Sequence, residues 1–232
     1  MTTATSSVQG LPATATFYGG RNAVGTNSGA CGYANVLAMG YGKMNTALSG
    51  PLFDGGRACG ACFEIRCVWA PYGNIRCFPG KIIVTGTNFC PRGSKGGWCD
   101  PPRQHFDLSQ PAFLQIAPYR AGIVHVDYRR VQCRRAGGVK FRIYGHIYFM
   151  QVLVYNVAGW GDVVAVAIKG SAYGGWVRMD RSWGQLWSTG FMLERQALSF
   201  AVTTSDGQTI VNYNLVGSHW RYGQTFEGKQ FR

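Results

Sequence analysis

The cysteines divide this chain more sharply than any other residue type. All eight lie within residues 1–133, and residues 134–232 contain none. This asymmetry predicts two domains, of which only the first is cross-linked. The cysteines are Cys31, Cys59, Cys62, Cys67, Cys77, Cys90, Cys99 and Cys133.

An even number of cysteines is typical of disulfides or of a metal site. Cys59-Gly-Ala-Cys62 is a CxxC pair of the kind that zinc sites use, but no second CxxC or HxxxH follows at zinc-site spacing. We therefore predict four disulfides, whose pairing the spacing leaves open, and neither a metal nor a cofactor. Disulfides indicate an oxidising compartment and hence secretion.

Glycine and aromatic residues narrow the fold class. The 232 residues include 33 glycines, 7 tryptophans, 12 tyrosines and 13 phenylalanines. With 46% hydrophobic and only 14% charged residues, the composition excludes an intrinsically disordered chain. No apolar run approaches the roughly 20 residues of a membrane span. A turn-rich, aromatic composition indicates an all-β protein.

The chain carries a formal net charge of +13, spread over its length. Residues 1–138 hold 14 basic and 5 acidic groups, and residues 139–232 hold 9 and 5. We expect a secreted protein of this charge to meet an acidic polysaccharide or another anionic surface rather than nucleic acid. The alternative is a solvated basic surface that has no partner.

Local patterns change near residue 138. The segment 13–135 has short apolar stretches between glycine and proline turns, which is typical of a small β-barrel. One helix is predicted there, capped by Ser109 and ended by Pro118. Alternating strands and the turn Ser205-Asp-Gly207 predict a β-sandwich over residues 139–232.

The N-terminal segment Met1–Pro12 is polar and lacks the apolar core of a signal peptide. Either a secretion signal was removed, or the gene's first exon is missing. The predicted disulfides favour removal of a signal.

Asp107 is the most suggestive carboxylate of the first domain. It lies between Phe106 and Leu108, just before the predicted helix. Apolar neighbours raise the pKa of a carboxyl group and a helix N-terminus lowers it, so the sequence leaves the direction open. A raised pKa would suit a general acid for a glycosidic oxygen. The alternative is that Asp107 only caps the helix.

Hydrolysis of a glycoside ordinarily needs a second carboxylate across the scissile bond. None of the other four in the first domain is compelling. We expect Glu64 to pair with Arg66 and Asp127 to face solvent on a strand. Asp54 and Asp100 lie in turns or loops.

Aromatic side chains are a second resource for binding, because sugar C–H faces pack on flat rings. Trp183 and Trp187 are four residues apart, which predicts one shared face of a strand or helical turn. We expect Trp183 to be exposed and Trp187, beside Leu186, to be buried. The second domain has more large aromatic residues than one sandwich core normally needs. They are Tyr148, Phe149, Trp160, Tyr173, Trp176, Trp183, Trp187 and Trp220.

Short motifs follow one another along the chain in the order known from one family. The first domain has Ala15-Thr-Phe-Tyr-Gly-Gly20, Cys59-Gly-Ala-Cys-Phe-Glu64, Thr87-Asn-Phe-Cys-Pro91 and His105-Phe-Asp-Leu-Ser-Gln-Pro111. The second has Gly161-Asp-Val163, Trp183-Gly184, Thr203-Thr-Ser-Asp-Gly-Gln-Thr209 and Gly223-Gln-Thr-Phe226. Through these motifs the chain resembles the plant α-expansins over roughly residues 14–231.

The resemblance implies a six-stranded double-psi β-barrel over residues 13–135 and an immunoglobulin-like β-sandwich over residues 139–232, the latter a carbohydrate-binding module. It also implies disulfides Cys31–Cys59, Cys62–Cys133, Cys67–Cys77 and Cys90–Cys99. Carried over by position, a polysaccharide groove on the barrel is formed by Thr16, Tyr18, Asn88, His105 and Asp107. The binding face of the second domain is formed by Tyr148 and Trp183.

The barrel is also similar to that of family 45 glycoside hydrolases, whose general acid aligns with Asp107. Their base aspartate falls near Tyr18-Gly-Gly20, where this chain has no carboxylate. Asn88 stands where bacterial relatives carry an aspartate. Asp100 stands where the family more often has Asn, which raises the question of weak hydrolysis from a restored carboxylate.

The family loosens plant cell walls without measurable hydrolysis, by disrupting noncovalent contacts between polysaccharides. The resemblance therefore implies a nonenzymatic, monomeric protein secreted to the plant cell wall, with Asp107 as a candidate acid rather than a proven catalytic residue. Cellulose, xyloglucan and acidic pectin are its expected partners. The alternatives are an endo-β-glucanase with weak hydrolysis and a structural pectin-binding wall protein.

Overall fold

The computed structural model describes residues 10–72, 74–93 and 96–232. Residues 1–9, most of the polar N-terminal segment considered as a signal, lie outside the described residues. Regular structure in the described part of the chain consists of β-strands with only short helices. The predicted all-β class is confirmed. Within those same residues, no helix has the length and apolar character needed to cross a membrane.

Six strands close into the predicted barrel. They are β1 (Leu11–Tyr18), β2 (Asn45–Leu48), β3 (Cys62–Trp69), β4 (Ile82–Phe89), β5 (His105–Ser109) and β6 (Val124–Val131). Around the barrel their order is β1-β5-β2-β4-β3-β6. The pairs β1–β5 and β2–β4 run parallel, and the other neighbours run antiparallel.

The helical segments of the barrel domain are short. They are α1 (Gly50–Phe53), α2 (Gln110–Phe113) and 3-10 turns at Val24–Thr26, Asp54–Gly56 and Tyr119–Ala121. As predicted, Ser109 caps α2, and its Oγ accepts a hydrogen bond from Ala112 N at 3.3 Å. The helix ends at Phe113, earlier than the predicted end at Pro118. Beyond it the backbone tightens, with Ile116 N donating to Phe113 O at 3.0 Å, and Ile116 is buried in the barrel core.

Two sheets form the predicted sandwich. The strands are β7 (Lys140–His146), β8 (Phe149–Tyr155), β9 (Val163–Gly170), β10 (Val177–Arg178), β11 (Asp180–Trp183), β12 (Leu186–Thr189), β13 (Leu198–Thr204), β14 (Thr209–Val216) and β15 (Thr225–Glu227). One sheet has the order β11-β12-β8-β7-β15 and the other β10-β9-β13-β14. Their inner faces enclose an apolar core in which Phe141 and Phe200 stack with ring centroids 4.6 Å apart.

The disulfides all lie in or beside the barrel. The cysteines are joined as Cys31–Cys59, Cys62–Cys133, Cys67–Cys77 and Cys90–Cys99. This is the pairing that the resemblance implies. The sandwich instead relies on its continuous apolar core.

Close backbone contacts join the two domains. A Cβ built on Gly60 would lie 2.5 Å from Gly161 O, so side chains at this point would force the domains apart. Cys133 N donates to Gly159 O at 2.6 Å and forms an isolated β-bridge with it. β6 ends at Val131 and β7 begins at Lys140. The domain limits 13–135 and 139–232 stay a prediction.

An ion pair and a mixed apolar cluster complete the contact between the domains. Arg130 of β6 reaches Asp162 at 2.9 Å, and the Asp162 side chain is only 7% exposed. The apolar cluster combines Tyr33 and Cys59 of the barrel domain with Leu153 and Tyr155 of β8. Part of the outer face of the five-stranded sheet is therefore covered by the barrel domain.

Candidate functional site

Four of the five residues expected in the barrel groove lie on β1 and β5, which run side by side in parallel. Their register places Thr14 opposite His105 and Thr16 opposite Asp107. Side chains alternate across a strand, so Ala15 of β1 packs into the barrel core while both threonines face outward. One outer surface thus collects polar groups that are distant in sequence.

The hydrogen bonds among these groups run from Thr14 through His105 and Thr16 to Asp107. Thr16 Oγ1 donates to Asp107 Oδ1 at 2.9 Å. Since a hydroxyl has one proton, the 2.8 Å contact between His105 Nε2 and Thr16 Oγ1 requires His105 to donate. In a neutral ring Nδ1 is then an acceptor, and it receives the hydroxyl of Thr14 at 2.7 Å. Burial lowers the pKa of His105 to about 4, which keeps the ring neutral.

The structure answers the open question about Asp107. Burial raises the pKa of its carboxyl group above the usual aspartate value, and the hydrogen bond from Thr16 opposes that rise. Asp107 lies within β5, and the cap of α2 is Ser109. The interpretation of Asp107 as a helix cap is therefore wrong. A carboxyl group of this kind retains its proton to higher pH than an exposed one.

Tyr18 and Asn88 extend the same surface. Asn88 Nδ2 donates to the Tyr18 hydroxyl oxygen at 3.4 Å, and Asn88 Oδ1 accepts from Ala30 N and Phe89 N, each at 2.8 Å. Burial raises the pKa of Tyr18, and the nearby Asp107 carboxylate raises it further. All five residues expected in the groove thus lie close together. Their role in holding a polysaccharide stays a prediction.

Sequence reasoning missed two members of this surface. Thr14 holds His105, and the alternation of Thr14, Thr16 and Tyr18 along β1 could have indicated it. Trp98 reaches the site from the loop closed by Cys90–Cys99, with its ring centroid 6.4 Å from that of His105 at an interplanar angle of 22°. Loop geometry of this kind has no sequence period, so no local pattern pointed to Trp98.

The remaining carboxylates in the barrel domain are engaged elsewhere. Glu64 pairs with Lys81 and Arg129, each at 2.7 Å, so the predicted pair with Arg66 is wrong. Arg129 lies opposite Glu64 on the neighbouring strand β6, whereas Arg66 lies two residues further along β3 and opposite Asp127. Asp127, expected to face solvent, pairs with Arg66 at 2.7 Å.

The two loop carboxylates of the barrel domain have local partners. Asp54 pairs with Arg57 at 2.9 Å. Asp100 accepts hydrogen bonds from Gly93 N, Gly96 N and Gly97 N at 3.1, 3.0 and 3.2 Å. These contacts make Asp100 an organiser of its own loop.

Among residues 10–72, 74–93 and 96–232, no group of three or more His, Cys, Asp or Glu side chains is arranged to hold a metal ion. The described side chains around Asp107 offer hydrogen bonds and aromatic ring contacts.

The expected binding residues of the sandwich are highly exposed. Tyr148 lies in the turn between β7 and β8 with 70% exposure, and Trp183 ends β11 with 50% exposure. Trp187 is 3% exposed, as predicted. The prediction that the two tryptophans share a face is wrong, because a turn at Gly184-Gln185 places them on different strands.

The turn that follows Trp183 is pressed against the barrel domain. Gln185 N donates to Cys31 O and Gln185 Nε2 donates to Cys59 O, both at 3.0 Å. A Cβ on Gly184 would lie 2.6 Å from Cys31 Cα. The position of Trp183 is therefore set by the barrel domain as well as by its own sheet.

Comparison with known proteins identifies the family. A model described as the expansin C-terminal domain matches residues 139–216, and one described as lytic transglycolase matches residues 45–128. Expansin-A25 of Arabidopsis thaliana is 50% identical over 220 residues, which cover 94% of this chain and 78% of the relative. The chain belongs to the expansin family. Expansin-A32 of Oryza sativa subsp. japonica is 45% identical over 92% of this chain and 81% of its own length.

The fold of this expansin is similar to that of a solved relative. The crystal structure of apo Clavibacter michiganensis expansin has a TM-score of 0.71 at 21% identity, and the match covers 95% of this chain and 97% of that one. The d78n mutant of the Clavibacter protein in complex with cellohexaose gives a TM-score of 0.72 at 21% identity, with the same coverage. These matches extend over both the barrel and the sandwich.

Proposed function

We propose that this expansin is secreted to the plant cell wall and loosens it without hydrolysis, by binding cellulose and xyloglucan and disrupting their noncovalent contacts. Family membership and the four disulfides support this proposal. The Clavibacter expansin solved with cellohexaose supports a β-glucan as ligand.

The observation that carries the proposal is the setting of Asp107. Its carboxyl group receives a hydrogen bond from Thr16, next to a neutral His105 and the Tyr18 hydroxyl. Hydrolysis by the usual route needs a second carboxylate about 5–10 Å away to act as base or nucleophile. The barrel's other carboxylates hold arginines, lysines or loop backbone.

A carboxyl group that lacks a second carboxylate nearby can still bind a sugar through hydrogen bonds. Protonated Asp107 donates a hydrogen bond to a sugar oxygen, and the ionised form accepts one from a sugar hydroxyl. Exposed Trp183 and Tyr148 offer aromatic surface to the C–H faces of the same polymer. Because no bond is cleaved, tension in the wall supplies the work of moving one polymer along another.

The experiment is acid-induced extension of heat-killed cell walls under constant load, with released reducing sugar measured in parallel. We expect Asp107→Ala to lose extension and keep most cellulose binding, and Trp183→Ala to lose both. Asp127→Ala removes an outward carboxylate elsewhere on the barrel, and Trp176→Ala removes a 39% exposed indole outside the five-stranded sheet. Both controls should keep near-normal extension. Normal creep with Asp107→Ala would show that the groove has no such role.

The same assay separates the alternatives. Sugar release that disappears in Asp107→Ala would identify an endo-β-glucanase, and release that disappears in Asp100→Asn would assign hydrolysis to that loop. The net charge of +13 favours an additional contact with acidic pectin. A purely pectin-binding protein would lose all wall binding in moderate salt, because screening removes an electrostatic attraction.

A further inference from the structure

A cleft of about 370 Å³ lies where the barrel domain meets β10 and β11. This volume falls within the roughly 300–1,000 Å³ typical of small-ligand sites. Arg57 comes from the barrel domain, and the other lining residues come from the sandwich. The lining consists of Arg57, Val164, Arg178, Met179, Asp180, Arg181 and Trp187.

Arg181 forms the inner wall of this cleft. Its guanidinium lies 4.4 Å from the Trp187 ring centroid and donates to the carbonyl oxygens of Gly56, Gly184 and Val163. These acceptors are neutral, so they occupy three of the five guanidinium N–H groups without cancelling the charge. Burial is the largest influence on the pKa of Arg181 and lowers it. Arg57 lowers it further, whereas Tyr33, Asp162 and Asp54 raise it.

Arg57 and Arg178 stand at the solvent side, where both are exposed. Arg57 uses Nε and Nη2 for its pair with Asp54. With Arg178 and Arg181, the lining contains three guanidinium groups; the carboxylates beside them are Asp180 in the lining and Asp54, which is paired with Arg57. An anion in the cleft would be attracted by the exposed Arg178 guanidinium and would replace hydration that the partly buried Arg181 guanidinium has lost.

We propose that this cleft binds the carboxylate of a uronic acid unit in an acidic wall polysaccharide. The planar guanidinium of arginine binds a carboxylate through two parallel hydrogen bonds. A neutral glucan has no carboxylate to offer. Arg181 lies two residues before Trp183 on β11. An acidic chain held here would run beside the aromatic surface expected to hold neutral glucan. The inference rests on the proposed wall location and not on the groove around Asp107.

The test measures binding of the full chain to polygalacturonate at fixed ionic strength, with its fully methyl-esterified form as the neutral counterpart. We expect Arg178→Gln to weaken binding about 5- to 10-fold, and Arg57→Gln to weaken it less, because Nε and Nη2 of Arg57 already bind Asp54. Arg120→Gln removes the same charge from an exposed position on the barrel's 3-10 turn and should weaken it less than about 2-fold. Cellulose binding and melting temperature should stay unchanged in all three variants.

A second arm identifies the source of the carboxylate. Glucuronoxylan carries uronate on a different backbone, and Arg178-dependent binding to either acidic polymer supports the site. Equal losses with Arg178→Gln and Arg120→Gln would overturn it in favour of nonspecific charge. Equal affinity for the methyl-esterified polymer, or full competition by inorganic phosphate at the same ionic strength, would overturn it as well. Each of these failures leaves wall extension and glucan binding intact, so they are distinct from failure of the proposed function.

Discussion

Thr16 donates the single proton of its hydroxyl to Asp107 Oδ1 at 2.9 Å, so the acid of the groove is held by a neutral partner. Burial and this hydrogen bond act on the carboxyl pKa in opposite directions. Removing the hydrogen bond leaves burial as the dominant influence.

Thr16→Val should therefore raise the pKa of Asp107 further while preserving side-chain shape. The pKa is followed by carboxyl-carbon NMR during a pH titration. Thr14→Val is the matched control, because Thr14 lies opposite His105 on the neighbouring strand and bonds His105 rather than Asp107. A lower Asp107 pKa in Thr16→Val, or an equal rise in Thr14→Val, would contradict the assigned contact.

His105 should make stability depend on pH. Its pKa is about 4 in the folded protein against an ordinary value of 6.5. Between these values the unfolded chain binds a proton that the folded chain does not, so stability is complete above pH 6.5 and falls as pH decreases. The loss reaches about 3 kcal/mol near pH 4. Asp107 acts in the opposite direction, since its raised pKa favours the folded state as pH falls.

Urea unfolding at several pH values measures this slope. His105→Gln should flatten it between about pH 4 and about pH 6.5, whereas His219→Gln, at an exposed position, should preserve it. An unchanged slope in His105→Gln would place the pH dependence elsewhere.

Gly184→Ala should disturb the docking of the Trp183 turn on the barrel domain. Its φ is +53°, and an added Cβ would lie 2.6 Å from the Cys31 backbone. Backbone strain and overpacking together should cost roughly 3 kcal/mol of unfolding free energy. Gly207 is the control, because its φ is +84° but no atom lies within 4 Å of an added Cβ. Gly207→Ala should cost only about 1 kcal/mol.

The same variants should separate stability from binding. Gly184→Ala should also weaken cellulose binding, because Trp183 moves with its turn, whereas Gly207→Ala should not. Equal binding by the two variants under conditions where both are folded would mean that the barrel does not position Trp183.

The pair Arg130–Asp162 should contribute more than a surface ion pair. The two side chains are 27% and 7% exposed, and Arg130 Nη2 also donates to Trp160 O at 2.9 Å. A double-mutant cycle with Arg130→Gln and Asp162→Asn should give a coupling of about 1–3 kcal/mol. Arg66–Asp127, with 62% and 24% exposure, is the control and should give less than about 1 kcal/mol. Similar couplings would show that the domain interface does not shield its ion pair.

Sequence patterns predicted much of the fold because strand alternation and turn chemistry are local. The hairpin at Ser205-Asp-Gly207 appears between β13 and β14, with Gly207 at a φ of +84°. Contacts between side chains on different strands were harder to predict from the sequence. Glu64 finds Lys81 and Arg129 rather than Arg66, because sheet register brings distant residues closer than chain neighbours.

The groove itself was predicted from family resemblance more than from local pattern. Asp107 was singled out by its apolar neighbours, but the threonine contacts depend on the parallel register of β1 and β5. Trp98 arrives from a loop shaped by a disulfide. Trp183 and Trp187 were assumed to lie on one continuous strand or helical turn, but a turn places them on two strands.

The contact between Gly60 and Gly161 has a mechanical meaning. Backbone meets backbone there, and Cys133 is tied both to Cys62 by a disulfide and to Gly159 by a β-bridge. Such a junction resists hinge motion, because bending would break several contacts at once. A polymer bound across both domains, as proposed, would therefore meet a surface whose shape changes little. In that binding mode the polymer would bend more than the protein.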